Sequence, residues 1–203
     1  MTFLTGTNAE VLYCMPAAGA ILSNSSAQTI ISGNTSTNPP YQLPPIWNLF
    51  GGPSYAPGRA LRVVARGTFG TTGTPPLTIR CGLNSPTQAT VPPGIILAAT
   101  GALTAPSSIT SGIWEMEFGV DINSIGDTAN TQALSLDALG SFRLGAGNNT
   151  AVLKSDVYMV GSATAITTVL PLTAYFIEIS ALWGTANASN TIQCLQFEVL
   201  GLN

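Results

Sequence analysis

Two glutamates set two residues apart, Glu115 and Glu117, are the side chains in this sequence best spaced for acid–base work. On a strand they share one face at a Cα separation of about 6.5 to 7 Å, which invites comparison with the carboxylate pair of a glycosidase. The remaining composition gives such a pair little help. There is no histidine, so Ser-His-Asp and Cys-His devices are excluded and the commonest general base is missing. Two solvated or arginine-paired carboxylates are the simpler reading, and the chain is expected not to be an enzyme.

Other constellations are equally thin. Asp121, Asn123, Gly126 and Asp127 faintly follow the spacing of a calcium loop, but Ile125 falls on a ligand position and Gln132 stands where the closing glutamate belongs. The glycines at 67, 70 and 73 and at 145 and 147 lack the lysine and helix of a phosphate-binding loop and read as turn glycines. Cys14, Cys81 and Cys194 are an odd set without C-x-x-C spacing, so free, packed thiols folded in a reducing compartment are expected. No metal and no cofactor is implied. Tripeptides opening at Asn24, Asn34, Asn148 and Asn187 match the glycosylation pattern, as chance allows in a chain so rich in Asn, Ser and Thr.

The few charges decide more. Asp, Glu, Lys and Arg make up 7% of the chain, against roughly 25% in an ordinary soluble domain. Residues 1–58 carry only Glu10, and residues 81–114 carry none. A free monomer of this kind tends to associate, so an assembly subunit is expected. Arg59, Arg62, Arg66, Arg80, Arg143 and Lys154 are the whole cationic set and the formal net charge is −3. That is too weak a footprint for nucleic-acid binding. Arg62 and Arg66 share a strand face and are expected to pair with Glu115, Glu117 or Asp121, across strands or across a subunit boundary. No apolar run is long enough to cross a bilayer, and residues 1–10 lack the charge and apolar pattern of a secretory signal, so neither a membrane nor export is expected.

The elements that must position these residues have period two. Leu61, Val63, Ala65, Gly67 and Phe69 alternate with Arg62 and Arg66; Leu77, Ile79, Cys81 and Leu83 alternate with Arg80; Trp114, Met116, Phe118, Val120 and Ile122 alternate with Glu115, Glu117 and Asp121. Further strands are expected near 95–100, 133–143, 151–160, 173–183 and 190–200, between Gly, Pro, Asn and Ser turn clusters. In the 173–183 strand Phe176 adds an aromatic to the nominally outer face, so both faces there are expected to be covered. The stretch Thr131 to Ala138 could hold a short turn of helix. Eight or so such strands in 203 residues give an all-β fold, an antiparallel β-sandwich with a jelly roll as leading topology.

Residues 1–57 read differently, as an extended N-terminal arm and lead-in to a sandwich domain over 58–203. A Ser/Asn/Thr run from Ser23 to Asn38 precedes Pro39, Pro40, Pro44 and Pro45, interleaved with Tyr41, Leu43, Ile46, Trp47, Leu49 and Phe50. Prolines at this density favour extended backbone. Extended chain with large apolar side chains must lie on something, either its own barrel or a neighbour. Tyr41, Leu43, Ile46, Trp47, Leu49 and Phe50, with Arg62 and Arg66, are therefore the candidate interface residues.

One family pattern runs through this region. Leu43, Pro44 and Pro45 ahead of Phe50, then Gly58-Arg59-Ala60-Leu61-Arg62-Val63 continuing to Gly67-Thr68-Phe69, resemble a strand of structural proteins of tailed-phage particles. Thr74-Pro75-Pro76-Leu77-Thr78-Ile79-Arg80, Ile96-Leu97-Ala98-Ala99-Thr100-Gly101-Ala102 and Trp114-Glu115-Met116-Glu117 keep the order of that pattern, over roughly residues 43–144. The stretch Asn84 to Pro93 is longer than in the pattern. The resemblance implies a virion subunit with a jelly-roll-like fold, plausible as a capsid cement or decoration protein assembled in the host bacterial cytoplasm. Its partners would be the major capsid protein and its own copies, as a homotrimer on the capsid surface. The alternative is a tail-tip or head-fibre module that binds a receptor or carbohydrate. The pattern describes a core and carries no functional residue over.

Overall fold

The computed structural model describes residues 9–33, 41–43, 45, 60–84, 93–124, 134–145, 155–161, 166–170 and 172–202. Among them there are fourteen strands and no helix. The long strands are β5 (Ala60–Thr71), β6 (Pro76–Asn84), β9 (Ile109–Ser124), β10 (Leu134–Gly145), β11 (Ser155–Gly161), β13 (Tyr175–Trp183) and β14 (Thr191–Leu202). Shorter ones are β1 (Ala9–Cys14), β2 (Leu22–Ser23), β3 (Thr29–Ile30), β4 (Tyr41–Leu43), β7 (Ile95–Ala99), β8 (Leu103–Thr104) and β12 (Ile166–Val169).

They form two antiparallel sheets packed as a β-sandwich. One layer runs β1-β14-β5-β9-β10-β11, the other β7-β6-β13-β3, and a single bridge between Gly161 and Ala99 joins them at one side. The pairings are nested: β5 with β14, β6 with β13, β7 with β11 through its single bridge, and β9 with β10. The chain is thus a folded-over ribbon rolled into two layers.

Period-two alternation supplies the core. Leu61, Val63, Ala65 and Phe69 of β5 and Trp114, Met116, Phe118, Val120 and Ile122 of β9 point inward. They belong to one apolar cluster with Leu77, Ile79, Cys81 and Leu83 of β6 and Ile177, Ile179 and Trp183 of β13. Each large side chain so buried contributes about 1.5 to 3 kcal/mol. In β14 the phase changes midway: Ile192 and Cys194 face in, then Phe197 and Val199. A bulge between Cys194 and Gln196 produces the shift and turns Leu195 out to solvent.

Gly67 is a packing requirement. A Cβ there would lie 1.9 Å from the Gln193 carbonyl and 2.6 Å from the Trp114 indole nitrogen. Its absence lets that indole cross β5 and donate to the Gln193 carbonyl at 3.1 Å.

One expectation is corrected, and one alternative is decided for the described residues. The possible helical turn at Thr131 to Ala138 is strand from Leu134 onward, because Leu136 and Ala138 find core positions opposite Ile122 and Val120 of β9; residues 131–133 lie outside the described residues. The lead-in over 1–57 is, where described, laid onto the sandwich itself. Within it β1 and β2 pair with β14, and β3 and β4 pair with β13. Met15, Leu22, Ile30, Ile31 and Leu43 are buried there, and these side chains hold the segment down.

Candidate docking face

The outer face of β14, β5, β9 and β10 gathers the charged residues singled out in the sequence. Register sets Arg62 opposite Gly119, Val64 opposite Glu117 and Arg66 opposite Glu115. Beyond them on β10 stand Leu139, Ser141 and Arg143. Arg62 reaches diagonally to Glu117 at 2.6 Å, and Arg66 pairs loosely with Glu115 at 3.6 Å. Both expected arginine–glutamate pairs therefore form within one chain. With side-chain exposures between 33% and 53%, such pairs contribute roughly 0.2 to 1 kcal/mol and mainly fix register. Arg143 is exposed and makes no ion pair among the described residues.

Large apolar side chains interrupt the polar surface. Leu139 is 66% exposed, Ile113 57% and Leu195 46%. Between them run two shallow grooves. The first, about 510 Å³, has Ile113, Leu195 and the Trp114 edge as its apolar part and Arg66, Glu115 and Arg143 along its side. The second, about 540 Å³, lies over Gly119 and is bordered by Leu139, Arg62, Glu117 and Arg143. The glutamate pair thus borders open grooves with an arginine against each carboxylate.

The proline and aromatic cluster fares unevenly. Leu43 is 1% exposed and belongs to the chain's own core, which removes it as an intersubunit anchor. Tyr41 stacks on Tyr13 with ring centroids 4.4 Å apart, and Tyr13 packs edge-on against Phe197. This stack ties β4, which pairs with β13 of one layer, to β1, which pairs with β14 of the other, and burial raises both phenol pKa values. Ile46, Trp47, Leu49 and Phe50 lie outside the described residues. So do residues 85–92 of the long loop and 125–133, which contain most of the calcium-like spacing; Asp121 itself sits within β9.

The other sheet hides its polar groups. As expected from Phe176, both faces of β13 are covered: Glu178 is 1% exposed and Ser180 fully buried. Glu178 Oε2 accepts from Asn84 Nδ2 at 2.8 Å, Asn84 Oδ1 accepts from the Gly94 amide at 3.0 Å, and Glu178 Oε1 has no partner among the described residues. Burial pushes this carboxyl up to about 7, with the Asn84 hydrogen bond opposing the shift. Beside it Arg80 donates to Gln28, which donates to Ser180. Cys81 and Cys194 are buried free thiols, and burial raises both, Cys194 to about 12. Cys14, also free, is exposed rather than packed.

Sequence reasoning missed Leu139, Ile113, Leu195 and Gly119 as surface features. Leu139 was within reach, since it shares a strand face with Asp137, Ser141 and Arg143. Leu195 was not, because the change of phase from Ile192 and Cys194 to Phe197 and Val199 signals a shift in the strand but not which residue turns out.

No family model matches the chain, and no curated protein sequence matches it. Among solved structures, arcelin-5, a lectin-like defence protein from Phaseolus vulgaris, is 8% identical with a TM-score of 0.36, covering 95% of this chain and 98% of that one. The CBM2 module of the evolved Dit of Lactobacillus casei BL23 phage J-1 is 12% identical with a TM-score of 0.34, covering 97% of each chain. Likeness at this level carries no functional argument.

Proposed function

We propose that this chain is a self-associating structural subunit of a bacteriophage particle, of the capsid-decorating type, that binds the shell of major capsid proteins. The observation that carries the reading is the outer face of β14, β5, β9 and β10. There Leu139, Ile113 and Leu195 stand exposed in a chain with very little charge to keep it apart from its copies. The resemblance of residues 43–144 to tailed-phage structural proteins supports the virion setting. A cryo-EM map of purified particles tests it: density for this sandwich on the shell is expected, and its absence from the particle overturns the proposal.

A second reading rests on the groove of about 510 Å³, whose size and mostly apolar lining with a few polar groups suit a small ligand. A tail-tip or head-fibre module would use it to hold a receptor sugar against Ile113, with Arg66 and Glu115 orienting hydroxyls. Calorimetric titration with host-surface glycans separates the two. Saturable binding abolished by Ile113→Asp favours the module; no heat with any glycan leaves the structural subunit.

A further inference from the structure

We infer that the outer face of β9 and β10 is a two-fold seam at which two copies of this chain close on each other, with Leu139 of each copy seated over Gly119 of the other. The inference rests on the proposed reading as a self-associating subunit and names the surface that does it.

Gly119 is the first observation. A glycine inside a long strand weakens it, and often marks a place where another group approaches closely. Gly67 and Gly140 meet that description within the chain, since a Cβ at either would lie 2.0 Å or less from a backbone oxygen. Gly119 does not. The nearest described atom to a Cβ placed there is the Leu61 carbonyl oxygen at 4.0 Å, so nothing among the described residues requires a missing side chain. The groove of about 540 Å³ lies over this position. Directly beside it in register, on β10, stands Leu139, the most exposed large apolar residue of the described chain. Knob and notch are adjacent on one face, which is what an isologous contact needs.

Charge supplies the second observation. A two-fold axis along the strands, between β9 and β10, exchanges the two strands in projection. Leu139 then lies over the partner's Gly119, and Arg143 lies over the partner's Glu115, its register partner. Arg143 makes no ion pair among the described residues, whereas Glu115 holds Arg66 only at 3.6 Å, and a carboxylate accepts more than one donor. The two contacts sit four residues apart along β10, roughly 13 Å, and occur twice by symmetry. The same axis brings the Asp121 and Asp137 row against its copy, a repulsion between exposed groups that salt screens.

Light scattering and sedimentation of the purified chain at micromolar concentration give the test. Wild-type protein should show twice the 20.9 kDa chain mass. Gly119→Val adds bulk at a position where a Cβ meets no described atom nearer than 4.0 Å, and should weaken association roughly tenfold or more while the circular dichroism stays that of the wild type. Arg143→Glu and Glu115→Arg should each be monomeric alone and form a mixed dimer when combined, because only the mixture restores both ion pairs. A wild-type monomer, a trimer, undisturbed single variants or a mixture that stays monomeric each overturns the seam. Particle attachment is read separately, so the seam fails independently of the structural role.

Discussion

Glu178→Gln should abolish a pH dependence of stability that originates in one buried carboxyl group. The carboxylate is 1% exposed on β13, with one oxygen held by Asn84 and the other without a partner among the described residues. Burial raises its pKa from 4.5 to about 7. At about 1.4 kcal/mol per unit, a shift of this size corresponds to about 3 kcal/mol. The native state binds this proton more tightly than the unfolded chain. The contribution to stability is therefore fully present below about pH 4.5, declines as pH rises toward 7, and stays lost above it. Glutamine keeps an oxygen for Asn84 and is neutral throughout, leaving an unpaired amide whose cost does not vary with pH. Urea unfolding of both proteins, followed by tryptophan fluorescence from pH 4.5 to 8, isolates the effect, because every other titrating group cancels in the difference. The variant should gain about 3 kcal/mol relative to wild type across that range, a midpoint change of about 1.5 M for a slope near 2 kcal/mol/M. A difference constant to within about 0.5 kcal/mol would refute the reasoning and mean that the carboxylate ionises in place without penalty.

Gly67→Ala should cost about 2 to 4 kcal/mol in the same assay, since the new methyl collides with the Gln193 carbonyl and the Trp114 indole and breaks their hydrogen bond. Deletion of residues 1–40 should unfold the domain rather than release a stable sandwich, because it exposes β13 and β14 edges and removes buried Met15, Leu22, Ile30 and Ile31; an unchanged far-ultraviolet spectrum and melting temperature would contradict this. Of the three thiols, Cys14 should react with a disulfide reagent in native protein, whereas Cys81 and Cys194 should react only in denaturant. Mass spectrometry after timed quenching counts the modified sites.

Period two was enough to place the long strands and their inward residues. The alternations at Leu61–Phe69, Leu77–Leu83, Trp114–Ile122 and Tyr175–Trp183 all reappear with the expected faces, because one buried face of a sheet forces that period on the sequence. The poverty of charge was likewise legible, and with it the expectation of contact surfaces. Strands of two or three residues, such as β2, β3, β4 and β8, were not. So short a segment has no period to read, and its backbone is extended because a longer strand offers hydrogen bonds to it. The same holds for the fate of the lead-in: its apolar residues demanded a surface, and only the packed sandwich showed that surface, for the described residues, to be the edge strands of its own domain. Pairing of Arg62 with Glu117 rather than with Gly119 opposite it depends on register between strands 55 residues apart in the chain. The exposed Leu195 depends on a bulge, the buried Glu178 on what covers its sheet, and the notch at Gly119 on empty space above a strand. Each is a relation between segments distant in sequence, and the identities of the residues do not contain it.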